Sequence, residues 1–268
     1  MSTNSNHPVV NIDPIFFSVG PLEVRWYGLM YVIGFVLAGV FLRILIKREF
    51  IRMPVEKADS LMMTIILSMF LGARLAYVFI YNWGYYSSRP LEILAVWQGG
   101  LSFHGAMVGI IVGCYIFARK QKIPLISVMD TAALCATPGI FFGRIGNFIN
   151  GELYGRVTHS WVGVIFPHGG PYPRHPSQLY EAVLEGLVLS AILWVLLPRF
   201  KHYGYLSATF LIGYGFFRYL VEFFREPDSQ LGYYFWGTTT MGQILCLLMI
   251  LAGGIGFYWA SKAKVKVN

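Results

Sequence analysis

The chain has 268 residues, 56% of them hydrophobic, 17% aromatic and 13% charged, with a formal net charge of +8. A soluble domain carries about 25% charged residues, so this low load, together with a mean hydropathy of +0.57, excludes a soluble globular enzyme and a disordered chain and leaves a multi-span membrane protein. The 21 basic residues are too scattered for a nucleic-acid surface; in a membrane protein they mark the side of the bilayer that a loop faces.

Met1–Gly20 is polar and then mixed. It lacks the basic region and cleavage site of a secretory signal and is expected to be retained. A spanning helix needs roughly 20 mostly apolar residues. Windows of that kind fall at Trp26–Ile46, Ala58–Tyr81, Leu101–Ala118, Pro124–Gly143, Gln178–Leu197, Gly204–Phe224 and Met241–Ala260. The expected fold is an all-α integral membrane protein with seven transmembrane helices, one polytopic domain over residues 1–268. Lysine occurs only after the first, third, fifth and seventh windows: Lys47 and Lys57, Lys120 and Lys122, Lys201, and Lys262, Lys264 and Lys266. The alternate loops hold arginine but no lysine, which predicts a periplasmic N-terminus and a cytoplasmic C-terminus.

Two outer segments stand out. Asn82–Gly100 is rich in Trp and Tyr, as an interfacial segment would be. Residues 147–177 form the longest polar stretch and are expected to fold as a small periplasmic cap between the fourth and fifth helices. There is no internal repeat, low-complexity tract or heptad pattern. Cys114, Cys135 and Cys246 lie in apolar runs and read as small buried hydrophobes, not as a disulfide framework or a metal site.

Ionisable groups inside spans cost about 2.5–3.5 kcal/mol each near the centre on insertion scales. This chain places Arg74, Asp130, Arg144, Glu181, Glu185, Arg218 and Glu222 there. Structural ion pairs between helices are the plain alternative for any one of them; the set as a whole marks a site. With the topology above, Arg144, Arg218, Glu222 and His104 fall at one level near the outer leaflet. Tyr214, Arg218 and Glu222 are spaced i, i+4, i+8 on one helical stripe, so Glu222 can hold the Arg218 guanidinium while Tyr214 offers a hydroxyl. Arg144 and Asn147 are i, i+3, between glycines that allow close backbone approach.

Arginine's planar fork suits phosphate oxygens, so arginines at headgroup depth point to an anionic lipid headgroup. His104 is the one histidine inside an expected span. Positive neighbours favour its neutral form, which can serve as a general base. The remaining histidines show no convincing metal spacing, and no nucleophile elbow or phosphate-binding loop is present. Glu181 and Glu185 (i, i+4) open the fifth helix with Ser177 as its expected N-cap. Either Arg74 or Arg144 is open to them as a partner.

The run Gly143-Arg144-Ile145-Gly146-Asn147-Phe148-Ile149-Asn150-Gly151-Glu152-Leu153-Tyr154-Gly155-Arg156 closely resembles the signature of the bacterial prolipoprotein diacylglyceryl transferase family. Four further segments resemble the same family in the same order. They are Arg25-Trp26-Tyr27-Gly28-Leu29-Met30-Tyr31, Ser102-Phe103-His104-Gly105, Arg174-His175-Pro176-Ser177-Gln178-Leu179-Tyr180-Glu181, and Gly213-Tyr214-Gly215 through Arg218 to Glu222-Phe223-Phe224-Arg225. The resemblance covers essentially the whole chain. One departure is Ala106, where many members carry a second glycine after the histidine.

The resemblance implies an enzyme of the bacterial cytoplasmic (inner) membrane. It would move the diacylglyceryl group of phosphatidylglycerol onto the lipobox cysteine thiol of a preprolipoprotein, forming a thioether and releasing glycerol-1-phosphate. Its partners would be phosphatidylglycerol, the preprolipoprotein signal peptide with its lipobox, and the lipid bilayer, with no nucleic acid, metal or cofactor. Arg144 and Arg218 would bind the phosphate and stabilise its growing charge, Glu222 would orient Arg218, and His104 would take the thiol proton. Tyr27, Asn147 and Glu152 would position the headgroup or order the arginines, Tyr214 would line the same site, and Gly155 would permit the turn into the cap. A lipid flippase or transporter and a seven-span receptor are the competing classes. The first commonly shows repeated halves and polar groups at the midplane; the second requires a deep pocket and a substantial cytoplasmic surface, whereas these inner loops are short and basic.

Overall fold

The computed structural model describes residues 7–20, 22–226, 233–234 and 239–262. The first six residues, and Lys264 and Lys266 of the C-terminal lysine group, lie outside them. The chain opens with an antiparallel hairpin, β1 (Ile15–Val19) against β2 (Leu22–Arg25). This hairpin is not expected from the polar character of the segment. Gly20, at φ 58°, turns the chain with a backbone conformation that costs glycine little. The Trp26 amide donates to Pro14 O at 3.0 Å and ties the hairpin to the first helix.

The helices follow in chain order: α1 (Trp26–Lys47), α2 (Val55–Tyr81), α3 (Phe103–Gln121), α4 (Leu125–Ile149), α5 (Ser177–Arg199), α6 (Tyr205–Glu222) and α7 (Met241–Lys262). Among the described residues, α1, α2, α4, α5 and α7 are long and apolar enough to cross a membrane. α3 carries His104, Arg119 and Lys120, and α6 carries Arg218 and Glu222, which dilutes their apolar character. Many large apolar side chains face outward, among them Val36, Leu67, Val108, Leu251 and Trp259. An aqueous surface would not carry so continuous an apolar cover, whereas lipid tails solvate it.

Two helix boundaries differ from expectation. α4 continues past Gly143 to Ile149, so Arg144 and Asn147 sit within the helix. Ser177 is not the N-cap of α5: Pro176 holds that position without a side-chain cap, and the Ser177 hydroxyl donates instead to Leu153 O at 3.1 Å. Ser102 does cap α3, accepting from the Gly105 amide at 3.2 Å.

The chain divides into two compact units, residues 1–41 with 133–267, and residues 42–132. In the second, α2 and α3 pack through small residues. Gly105, Gly109 and Gly113 line one face of α3 against Ser68 and Gly72 of α2, and a Cβ on Gly72 would stand 2.8 Å from the Gly109 Cα. Small residues at four-residue spacing let two backbones approach this closely. The same unit buries Arg74, whose five N–H donors reach the carbonyls of Ile93 (2.8 Å), Gly99 (2.7 Å), Gly100 (3.1 Å), Glu92 (2.8 Å) and Ala95 (3.4 Å). Arg74 thus fastens the aromatic segment 82–100 and has no N–H left for a carboxylate.

In the other unit, α1 meets α4 at Gly34, where an added Cβ would lie 3.0 Å from the Gly139 Cα. α5 meets α4 at Gly186, where a Cβ would lie 2.6 Å from that of Phe141. α6 and α7 approach where Gly215 faces the Cys246 carbonyl and Gly253 faces that of Ala208. After α4, the chain from Asn150 to Pro176 wraps around the fully buried Phe166, which Phe148 and Tyr154 contact with their rings. Residues 8–10 pair with Ile165 through Val10 N to Ile165 O and Ile165 N to Pro8 O, both 3.0 Å.

Candidate active site

Three helices of the larger unit bring the charged groups together. α4 contributes Arg144, α5 contributes Glu181 and Glu185, and α6 contributes Arg218 and Glu222, with Arg225 one turn beyond Glu222. One oxygen of the fully buried Glu181 accepts from Arg225 Nη1 at 3.3 Å and from Arg218 Nη1, and the other lies 2.8 Å from Arg144 Nε as an ion pair. Glu222 accepts from the Thr240 hydroxyl at 2.9 Å, and its other oxygen forms ion pairs with Arg218 Nη2 at 3.2 Å and Arg225 Nε at 3.8 Å. Glu185 lies 3.9 Å from Arg144 Nη2. Tyr214 stands among these groups, beside Glu185.

The local chain explains the convergence. Glu185 lies in the π-helical stretch Ala182–Val188, which follows Glu181 directly. Such a widened turn re-aims side chains within an otherwise regular helix. Gly242, at the start of α7, stands where a Cβ would lie 2.5 Å from the Glu222 carboxylate. The arginine side chains keep 20% (Arg144), 16% (Arg218) and 11% (Arg225) of their exposure, whereas Glu181 and Glu185 keep none. The buried carboxylates therefore hold the guanidiniums in place while part of each arginine side chain stays accessible. Pre-oriented guanidinium forks of this kind bind a phosphate without first having to order themselves.

A second set adjoins the first along α4. Asn147 Nδ2 donates to Glu152 Oε1 at 2.8 Å and lies beside the Tyr27 hydroxyl, which also bonds Tyr31 at 3.0 Å. Gly146 faces the Tyr27 ring, where a Cβ would lie 3.0 Å away. Gln178 Nε2 donates to Glu152 O at 2.7 Å, so the segment after α4 is pinned to the start of α5.

Gly155 does not make the turn into the cap; Gly151 and Leu153 take the left-handed conformations, at φ 65° and 57°. Gly155 instead permits a close backbone approach. A Cβ there would lie 2.8 Å from that of His175 and would also strike the Phe224 carbonyl. The Gly155 amide donates to His175 O at 2.8 Å, the Arg156 amide to Phe224 O at 2.9 Å and Arg156 Nε to Arg225 O at 2.7 Å. This stitching fixes the backbone that carries Arg225. His175 packs against Phe224, bonds the Tyr180 hydroxyl at 3.1 Å, and is held below the ordinary imidazole value by burial.

His104 belongs to the unit of residues 42–132. It occupies the first turn of α3, is exposed, and has the Tyr81 hydroxyl 3.5 Å from Nδ1. The expected Arg144, Arg218, Glu222 and Tyr214 do come together, and the choice between Arg74 and Arg144 falls to Arg144. Sequence reasoning passed over Glu181 as the common acceptor, and over Arg225 and Thr240. The i, i+3 spacing of Glu222 and Arg225 is a signal that could have found one of them.

The family model described as prolipoprotein diacylglyceryl transferase matches residues 14–259. A relative from Oleidesulfovibrio alaskensis is 48% identical over 241 residues, covering 90% of each chain. One from Geobacter sulfurreducens is 48% identical over 255 residues, covering 95% of this chain and 98% of its own. One from Rhodospirillum rubrum is 46% identical over 265 residues, covering 96% and 95%. Each bears the name phosphatidylglycerol–prolipoprotein diacylglyceryl transferase. With matches of this identity along nearly its full length, the chain belongs to the prolipoprotein diacylglyceryl transferase family.

Proposed function

We propose that this chain transfers the diacylglyceryl group of phosphatidylglycerol to the lipobox cysteine thiol of a preprolipoprotein, and that the guanidinium cluster is its phosphate site. The observation that carries the site assignment is the pair of arginines, Arg144 and Arg218, sharing the buried Glu181 while part of each side chain stays accessible. The thiolate is the nucleophile, since a free thiol ionises only near pH ~8.5. Its sulfur forms a bond to the glycerol carbon as the bond from that carbon to the phosphate oxygen breaks. The electron pair goes to that oxygen, where Arg144 and Arg218 stabilise the growing charge, and glycerol-1-phosphate leaves.

His104 accepts the thiol proton as general base; the support is its exposed imidazole on the first turn of α3. Glu222 orients Arg218, and Tyr27, Asn147, Glu152 and Tyr214 order the arginines and the headgroup. The chain crosses the bacterial inner membrane seven times, with the N-terminus and residues 147–177 in the periplasm, the C-terminus in the cytoplasm and the site in the outer leaflet. The confinement of lysine to alternate loops supports that arrangement.

The test is a transfer assay with purified protein, labelled phosphatidylglycerol and a lipobox peptide. Label on the peptide cysteine is the expected result. Label moved between leaflets would make the protein a flippase, and neither outcome would leave a receptor. His104→Gln is expected to lower turnover by about 100-fold, within the range for loss of a general base; near-normal turnover would remove His104 from that role.

A further inference from the structure

α5 and α6 meet where Gly213 faces Leu189: a Cβ on Gly213 would lie 2.6 Å from the Leu189 Cδ1. From that level toward Phe200 the two helices leave a groove of about 320 Å³, walled by Leu189 and Leu196 of α5, by Phe200, by Thr209 and Gly213 of α6, and by Phe257 of α7. The walls are apolar with one exception. The Thr209 hydroxyl is buried and has no hydrogen-bond partner, which is costly for a hydroxyl that water does not reach. Thr209 lies one turn inside the N-terminus of α6. Arg218 is a further nine residues along the same helix, about 14 Å at helical rise, so the groove is separate from the guanidinium cluster.

The end of the groove at Phe200 is cationic. Arg199 and Lys201 flank Phe200, Lys262 closes α7 just beyond Phe257, and all three are exposed. The Phe200 ring meets those of Tyr205 at 5.0 Å and Phe257 at 6.3 Å, which gathers the end of α5, the start of α6 and the end of α7. Residues 186–221 and 241–268 contain no Asp or Glu, and the N-terminus of α6 adds the positive end of its dipole. We propose that this groove binds one anionic phospholipid, with an acyl chain along its apolar walls, the phosphate among Arg199, Lys201 and Lys262, and an ester carbonyl accepting from the Thr209 hydroxyl. An apolar groove alone takes any lipid; basic residues at the end of a gap between spanning helices select a negative headgroup. Thr209 sits about 6 Å along the axis from the first residue of α6, below the level of the cations, where the esters of a lipid fall. In the orientation given above this is a lipid of the inner leaflet. It is a structural ligand and not a substrate, bracing α5 and α6, which carry Glu181 and Arg218 toward their other ends.

The test uses the purified full chain in phosphatidylcholine nanodiscs, doped with phosphatidic acid or phosphatidylcholine that carries the same diazirine on one acyl chain. After illumination, cross-links are mapped to Leu189–Phe200 and Thr209–Gly213. Labelling there by the anionic probe is expected to exceed labelling by the zwitterionic one about tenfold, as a few cations close to the headgroup provide. Substituting Arg199→Gln, Lys201→Gln and Lys262→Gln together is expected to bring the ratio to about one. In the unaltered chain, ~1 M salt is expected to do the same, because it screens exposed charges beyond about 3 Å; this arm stands even if the triple variant does not fold. Equal labelling by the two probes, a preference that salt leaves intact, or one that a folded triple variant retains would overturn the proposal. The read-out needs no turnover, so a chain that showed the preference but transferred no lipid would refute the transferase reading and not this one.

Discussion

Glu181 is a carboxylate without solvent exposure in ion-pair contact with three guanidiniums. Replacing it with glutamine keeps the shape but leaves cations facing each other around a position that is buried from solvent. Breaking a buried ion pair in this way costs about 3–5 kcal/mol, so Glu181→Gln is expected to lower the melting temperature in detergent clearly and to abolish transfer. Arg218 poses a different question. Its two terminal nitrogens go to different carboxylates, Glu181 and Glu222. A lysine ammonium keeps the charge but cannot reach both partners and present a fork to a phosphate. Arg218→Lys is expected to lower kcat/KM roughly 100-fold with a smaller effect on melting; undiminished kcat/KM would exclude a role for the fork. The Arg218–Glu222 pair was legible in the sequence because i, i+4 neighbours on a helix meet regardless of what surrounds them. The Arg144–Glu181 pair was not, because it joins two helices whose relative rotation no local spacing reports.

At the level of elements, the segment after α4 acts as a strap. Its backbone pairs with His175 on one side and with Phe224 and Arg225 on the other. Gly155 makes this possible, since any Cβ there strikes the Phe224 carbonyl and crowds His175. Gly155→Ala is therefore expected to displace the backbone that holds Arg225, costing about 1–3 kcal/mol of stability as an overpacked site does and lowering transfer activity. Unaltered melting and activity would show that the strap has slack. The extension of α4 to Ile149 escaped the sequence reading for a related reason. Arg144 and Asn147 look like the exit from an apolar helix, yet Glu181 and Glu152 satisfy their side chains and the helix runs on. The hairpin at residues 15–25 escaped it as well, because its side chains alternate between no clear apolar and polar faces.

For the whole molecule, orientation is the property most open to direct measurement. Cys114, Cys135 and Cys246 are all buried, so a chain with these replaced by alanine can carry single reporter cysteines. Ser88→Cys and Ser160→Cys, at exposed positions, are expected to react with a membrane-impermeant maleimide on intact spheroplasts. Lys122→Cys is expected to react only after permeabilisation, and the opposite pattern would invert the topology. Composition and the placement of lysine alone determined that the chain lives in a membrane and roughly where its apolar helices run, because transfer into lipid depends on side-chain chemistry summed along a segment and not on neighbouring segments. The charged stripes on α4, α5 and α6 were likewise written in the sequence. Only the tertiary structure decided that Glu181 gathers three arginines and that Arg74 is consumed by the carbonyls of residues 92–100. Pairing between buried charges is fixed by the depth and rotation at which whole helices pack, and those are set by small-residue contacts distributed across the fold.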